Sequence, residues 1–179
     1  ALEVHHNELQ PAEVDTPVRV CMFDIEVDDR NGFPENGEEP ILCLTSHDSG
    51  TDQYVIWVVQ PPTEATIPDA LPEYVPIEEP VSVELRRFDA EDAMLAAFVD
   101  YIDETDPDLL SGWNFDDFDL PYLLDRMQQL AADSSHDLQG DRLSRVGEVW
   151  RSGWGGPDVK GRVVFDLLYA YKRTQLSEL

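Results

Sequence analysis

Apolar and polar positions along this chain fall into a short series of periodic segments. Residues 1–16 are polar and acidic and predict a lead-in to a folded body over residues 17–179. The run Val18-Arg19-Val20-Cys21-Met22-Phe23-Asp24-Ile25-Glu26-Val27 is rich in β-branched and aromatic residues up to the turn-forming Asp28-Asp29-Arg30-Asn31-Gly32, which is the pattern of a strand. Alternation puts Asp24 and Glu26 on one face with Val20 and Met22, and Cys21, Phe23, Ile25 and Val27 on the other. Apolar residues on both faces predict a central strand covered from both sides.

Ile41 to His47 and Gln53 to Val59, separated by Asp48-Ser49-Gly50-Thr51-Asp52, predict a hairpin. Six prolines between Pro61 and Pro80 predict an extended surface loop, and Val81 to Phe88 alternates as a further strand. Asp89 is placed to cap a helix whose apolar stripe is Met94, Leu95, Phe98, Val99 and Ile102, and Asp106-Pro107 ends it. That stripe is core and carries no catalytic meaning. Leu109 to Trp113 reads as a short buried strand. Phe118 to Leu130 reads as a second helix, with Pro121 in its first turn and Leu120, Leu123, Leu124 and Met127 inward. Arg142 to Trp150 and Val159 to Leu168 resemble a second hairpin around the Gly-rich tip Ser152 to Pro157. Strands followed by α–β–α units make a mixed α/β domain without internal repeat.

Composition narrows the picture. With 179 residues, 42% of them hydrophobic, the chain can bury one sizeable core. No run reaches the eighteen or so apolar residues of a membrane span, and no signal-peptide pattern opens the chain, so no membrane partner is expected. A start at Ala1 rather than Met reads as an excised piece. Cys21 and Cys43 form neither a disulfide framework nor a metal motif, which fits a reducing, cytoplasmic setting.

Charge changes the picture most. Twelve basic residues stand against 38 acidic ones, a net charge of −26, and only Lys160 and Lys172 are lysines. Four Trp, six Tyr and seven Phe argue for a packed core rather than disorder. An acidic surface with few lysines points to adaptation to molar salt, where the Debye length falls to about 3 Å and self-repulsion fades. Folding is expected to depend on high salt. The charge is uneven: residues 142–179 hold 7 basic and 4 acidic side chains, together with Trp150, Trp154, Tyr169 and Tyr171. Basic and aromatic residues together hold single-stranded nucleic acid, although such a third can equally face an acidic neighbouring domain.

Two acids at i, i+2 occur by chance about eight times in so acidic a chain, most of them as solvated surface, so the bare spacing means little. Asp24 and Glu26 differ because they lie within the most apolar strand of the N-terminal half. Side by side there, they repel each other and call for a cation, which a hard divalent metal supplies. A second constellation joins strand to helix: Ser111-Gly112-Trp113-Asn114-Phe115-Asp116-Asp117-Phe118-Asp119-Leu120-Pro121-Tyr122. Asp116 or Asp117 is suited to cap the helix. Asp119 is expected in its first turn, where the macrodipole favours an ionised carboxylate, within reach of Asp24 and Glu26.

Phe23-Asp24-Ile25-Glu26 resembles the first exonuclease motif of the family B DNA polymerases, and Gly112 to Leu123 resembles the second. Gly161-Arg162-Val163-Val164-Phe165-Asp166-Leu167 resembles the strand that follows the second motif in archaeal members. The resemblance covers about residues 18–176, and the acidic surface suggests the form found in extreme halophiles. It implies a ribonuclease H-like exonuclease fold, a mixed β-sheet flanked by helices, that proofreads by removing mispaired nucleotides from a primer 3′ end. It further implies two divalent cations, Mg2+ or Mn2+, held by Asp24, Glu26 and Asp119, a two-metal arrangement suited to phosphodiester hydrolysis. Asn114 and Phe118 would hold the frayed terminus. The hairpin over residues 142–165 would correspond to the family's strand-separating hairpin, with Arg142, Arg145 and Arg151 as nucleic-acid contacts. The implied partners are the single-stranded 3′ end of primer DNA, polymerase domains of the same chain and, through them, a sliding clamp.

Two departures follow from the resemblance. Val27 stands where many members have threonine. The third motif, Tyr-x-x-x-Asp, is absent: Tyr101 to Thr105 and Tyr169 to Arg173 both lack its Asp. The domain is therefore expected to be truncated at its C-terminus. It should bind metal weakly, have little activity, and leave apolar surface open to dimerisation. Two further readings are a free-standing exonuclease of the same acidic-motif superfamily, acting on DNA or RNA, and a catalytically dead nucleic-acid-binding scaffold.

Overall fold

The structure is a computed structural model that describes residues 4–13, 15–59, 82–151 and 155–175. Its main sheet contains β1 (Val20–Val27), β2 (Ile41–Asp48), β3 (Gln53–Val59), β4 (Ser82–Phe88), β5 (Leu109–Gly112) and β8 (Val163–Asp166). The order across the sheet is β4-β3-β2-β1-β5-β8. β2 runs antiparallel to both neighbours, while β1, β5 and β8 are parallel to one another and β4 is parallel to β3. The predicted proline-rich loop lies outside the described residues.

The core lies on one face of this sheet. Cys21, Phe23, Ile25, Leu44, Val55 and Trp57 are buried beneath α1 (Glu91–Thr105) and α2 (Leu120–Leu130). Phe98 of α1 meets Phe23 and Trp57 edge-on, with ring centroids 5.1 and 5.6 Å apart. Both apolar stripes read from the sequence are buried, each large side chain contributing about 1.5–3 kcal/mol. The opposite face of β1, with Met22, Asp24 and Glu26, is exposed among the described residues, so the expected double cover is not present. Both helices lie in connections that move the same way across the sheet, β4 to β5 and β5 to β8. Connections of one hand moving one way lay their helices on one face.

Three local expectations change. Ala90, not Asp89, stands at the N-cap of α1 without a side-chain cap bond. Glu91 instead accepts from the Ile41 amide (2.7 Å) and from Arg126 (2.6 Å), tying α1 to β2 and α2. The second predicted hairpin shrinks to a two-residue ribbon, β6 (Val149–Trp150) with β7 (Asp158–Val159), and residues 152–154 of its tip lie outside the described residues. Val163–Asp166 joins the main sheet beside β5, and α3 (Leu167–Gln175) follows at once. Pairing along the β5 edge satisfies backbone groups that a free ribbon would leave to water.

Candidate active site

The parallel strands β1, β5 and β8 end at one edge of the sheet. Ligands of open α/β sheets bind outside such carboxyl ends. β5 closes on Gly112, where a Cβ would lie 2.6 Å from both the Phe23 carbonyl oxygen and the Phe115 ring, so only glycine lets the strands approach this closely. Asn114 then adopts the left-handed conformation (φ 59°, ψ 32°), and Phe115–Asp119 forms a π-helical turn that leads into α2. Phe115 is fully buried, with its ring 4.7 Å from Phe23, and this anchors the turn on β1.

Asp119 thus closes the turn rather than lying in the first turn of α2. Neither Asp116 nor Asp117 caps α2: the Asp116 amide donates to Asp166 (2.9 Å), and Asp117 accepts from the Tyr169 hydroxyl (2.8 Å). Asp119 is 2% exposed, and its Oδ1 accepts from the Ile25 amide at 3.1 Å. β5 pairs with β1 only as far as Met22, so beyond that point the side chain of Asp119 supplies the acceptor. An acid from the second motif therefore sits against the strand residue between Asp24 and Glu26.

The expected preference for an ionised Asp119 is reversed. Burial pushes its pKa up to about 7; the Ile25 N–H offsets part of this, and the charge of Asp24 adds to it. Partial desolvation raises the exposed Asp24 as well. No cationic side chain among the described residues offsets either shift. Carboxylate oxygens are the donors that hard divalent cations take, so the donor chemistry fits such an ion. Among the described residues, no three His, Cys, Asp or Glu side chains converge closely enough to hold one.

Phe118 is half-buried and stacks on Tyr122, with centroids 5.5 Å apart. Sequence reasoning missed Phe33, which is 79% exposed and lies 5.7 Å from Phe118 across a cleft of about 250 Å3. Its signal was a lone aromatic in a polar, turn-rich loop. Also missed was Asp166, 5% exposed, which accepts from the Asp116 amide and caps α3 through the amides of Leu168 and Tyr169. Its signal was an acid at a strand-to-helix junction.

The expected arginine contacts divide. Arg142 pairs with Asp100 and Asp103, and Arg145 with Asp106 and Asp108. These acids follow α1 toward the start of β5, at the opposite end of the sheet from the carboxylates. In a chain with about three times as many acids as bases, these two guanidinium groups find intramolecular carboxylates and lie away from the site. Arg151 pairs with Asp125 and reaches the Pro121 carbonyl at 3.3 Å, on the site's side of α2.

A family model described as "DNA polymerase family B, exonuclease domain" matches residues 1–178. The chain is 34% identical over 169 residues to the DNA polymerase delta catalytic subunit of Glycine max, covering 88% of this chain and 14% of that protein. It is 32% identical over 168 residues to a DNA polymerase of Desulfurococcus sp. (strain Tok), covering 93% of this chain and 18% of that protein. The structure is similar to that of the family B DNA polymerase from the hyperthermophilic archaeon Pyrobaculum calidifontis, with a TM-score of 0.63 and 25% identity over 92% of this chain and 17% of that one. The chain thus spans under a fifth of the length of these relatives. With a match over nearly every residue, the chain belongs to the exonuclease-domain family of the family B DNA polymerases, and its mixed sheet with flanking helices is that domain's ribonuclease H-like fold.

Proposed function

We propose that this chain carries the 3′→5′ proofreading activity of a DNA polymerase, hydrolysing the terminal phosphodiester of a primer and releasing nucleoside monophosphates. The observation that carries the reading is the Asp119–Ile25 hydrogen bond, which brings residues 94 positions apart onto one stretch of β1. Asp24, Glu26 and Asp119 would hold divalent cations, Mg2+ or Mn2+. Ions there supply charge neutralisation at the phosphate and acidify the attacking water. The rest falls to the chain's own side chains. The turn fixed by Gly112 and Phe115 holds Asp119 against β1, and Asp24 and Glu26 stand exposed toward the substrate. Phe118, extended by Phe33, offers aromatic surface on which a terminal base stacks, and Asn114 is a half-buried amide beside it.

The substrate partner in this reading is a single-stranded primer 3′ end, with polymerase domains of the same polypeptide, and a sliding clamp through them, as protein partners. The charge of −26 supports an origin in molar salt. The test is degradation of a 5′-labelled single-stranded oligonucleotide in molar KCl with Mn2+, by this chain and by any longer polypeptide its gene encodes, each beside its Asp24→Ala variant. Stepwise shortening from the 3′ end in at least one of the two proteins, abolished by the corresponding variant, is expected. The alternative is a nucleic-acid-binding scaffold without catalysis, against which the intact Asp24, Glu26 and Asp119 argue. Binding without cleavage in every arm would establish that reading instead.

A further inference from the structure

The basic character of residues 142–179 resolves, side chain by side chain, onto one short helix. Arg142, Arg145, Arg151, Lys160 and Arg162 are each engaged by an aspartate. Lys172 and Arg173 of α3 are exposed and have no acid partner among the described residues. α3 itself carries no buried residue. Tyr169 and Tyr171 are 46% and 51% exposed, and the Tyr171 ring lies 5.7 Å from that of Trp113, itself 52% exposed. Lys172 sits 5.4 Å over the ring of Tyr169. Basic residues in the last turn of a helix are favourable to its dipole, which accounts for the charges but not for the exposed rings beside them. The position adds to this: Leu167 and Trp113 line the same cavity, about 630 Å3, as Asp24.

We propose that the Trp113–Tyr171 pair with Lys172 and Arg173 forms a track for the single-stranded nucleic acid just 5′ of the terminal nucleotide, the rings stacking on a base and the cations contacting two phosphates. The occupant follows from charge complementarity: on a surface this acidic, an unpaired cationic and aromatic strip at the edge of the carboxylate site suits a polyanion with exposed bases. The inference rests on the exonuclease reading and deepens it.

The experiment is fluorescence anisotropy of a 5′-fluorescein oligothymidylate, with EDTA present, across a KCl series in which the chain stays folded by circular dichroism. A Lys172→Ala/Arg173→Ala variant should lose about 1.4 from the magnitude of the slope of log K against log salt, at about 0.7 per phosphate on a single strand. Tyr171→Ala should weaken binding about tenfold, Tyr171→Phe should restore it, and an oligonucleotide abasic throughout should erase the difference between them. Parent binding and Mn2+-dependent cleavage together with unchanged affinity and slope in the variants would overturn this proposal alone. Failure both to bind and to cleave, in this chain and in any longer polypeptide its gene encodes, would overturn the exonuclease reading, and the track with it.

Discussion

At Asp119, burial and charge work against the ionised form. Its carboxyl titrates at about 7 because it is enclosed and faces Asp24, while one backbone N–H recovers part of the loss. A folded-state pKa above the unfolded value contributes stability that is full below the unfolded pKa and is lost as pH rises through the folded one. In metal-free protein, this contribution therefore falls between about pH 4 and pH 7. Asp119→Asn, which resembles the protonated form, should flatten that part of the stability curve and leave the variant more stable than the parent at pH 8. Denaturant melts of both proteins in molar KCl with EDTA check this, and parallel curves would refute it. The proposed ligation by Asp119 requires the carboxylate, so that proposal expects Mn2+ affinity measured by calorimetry to rise over pH 6 to 8 in the parent and to lose most of that rise in the variant.

Among the elements, the loop from Asp28 to Pro40 and the turn from Asn114 to Asp119 decide how the site is presented. The loop is clamped to α2: the Tyr122 hydroxyl donates to the Glu39 carbonyl (2.9 Å), and Arg126 donates to the carbonyls of Gly37 and Glu38. Gly37, at φ 70°, lies so close to α2 that a Cβ would stand 2.6 Å from the Arg126 amide. The exposed Phe33 is thus carried on a fixed support. Gly112 plays the same part for the turn, where added volume meets the Phe23 carbonyl and the Phe115 ring. Gly112→Ala should move the turn or the β1 backbone, costing about 1–3 kcal/mol by overpacking and lowering exonuclease kcat more than the affinity for single strands. Urea melts and single-turnover cleavage separate the two effects. A variant with parent stability and rate would show that the close approach is not needed.

For the whole molecule, the charge distribution sets the conditions under which everything else operates. Arg142, Arg145 and Arg162 gather Asp100, Asp103, Asp106 and Asp108 at one end of the sheet, so cations that looked free in sequence instead relieve repulsion within the fold. Much acid remains unpaired in a chain of net −26, and salt is left to screen it. Raising KCl from about 0.1 M to about 2 M should raise the melting temperature by at least several degrees, as the Debye length drops from about 10 Å toward 3 Å or less. Scanning calorimetry with KCl, against sucrose as a neutral stabiliser, tests it; a salt-independent melt would remove the case for adaptation to salt.

Periodicity by itself determined β1, the β2–β3 hairpin, the α1 and α2 stripes and the order of elements from β1 to α2, though not α3, because burial of apolar side chains is local information repeated at 2 or 3.6 residues. The apolar strand around Asp24 and Glu26, and the strand-to-helix constellation that holds Asp119, likewise made these three candidates before any fold was in view. Tertiary structure alone decided the rest. Among the described residues it left one face of β1 exposed, since the direction of the connections and not their sequence places the helices. It gave Val163–Asp166 to the edge of β5, since an unpaired edge competes with a ribbon two residues long. It reversed the charge preference of Asp119, since desolvation depends on which neighbours close over a side chain. It also moved the accessible positive charge from Arg142 and Arg145 to α3, since pairing acts across space and a count of charges along the chain carries no distances.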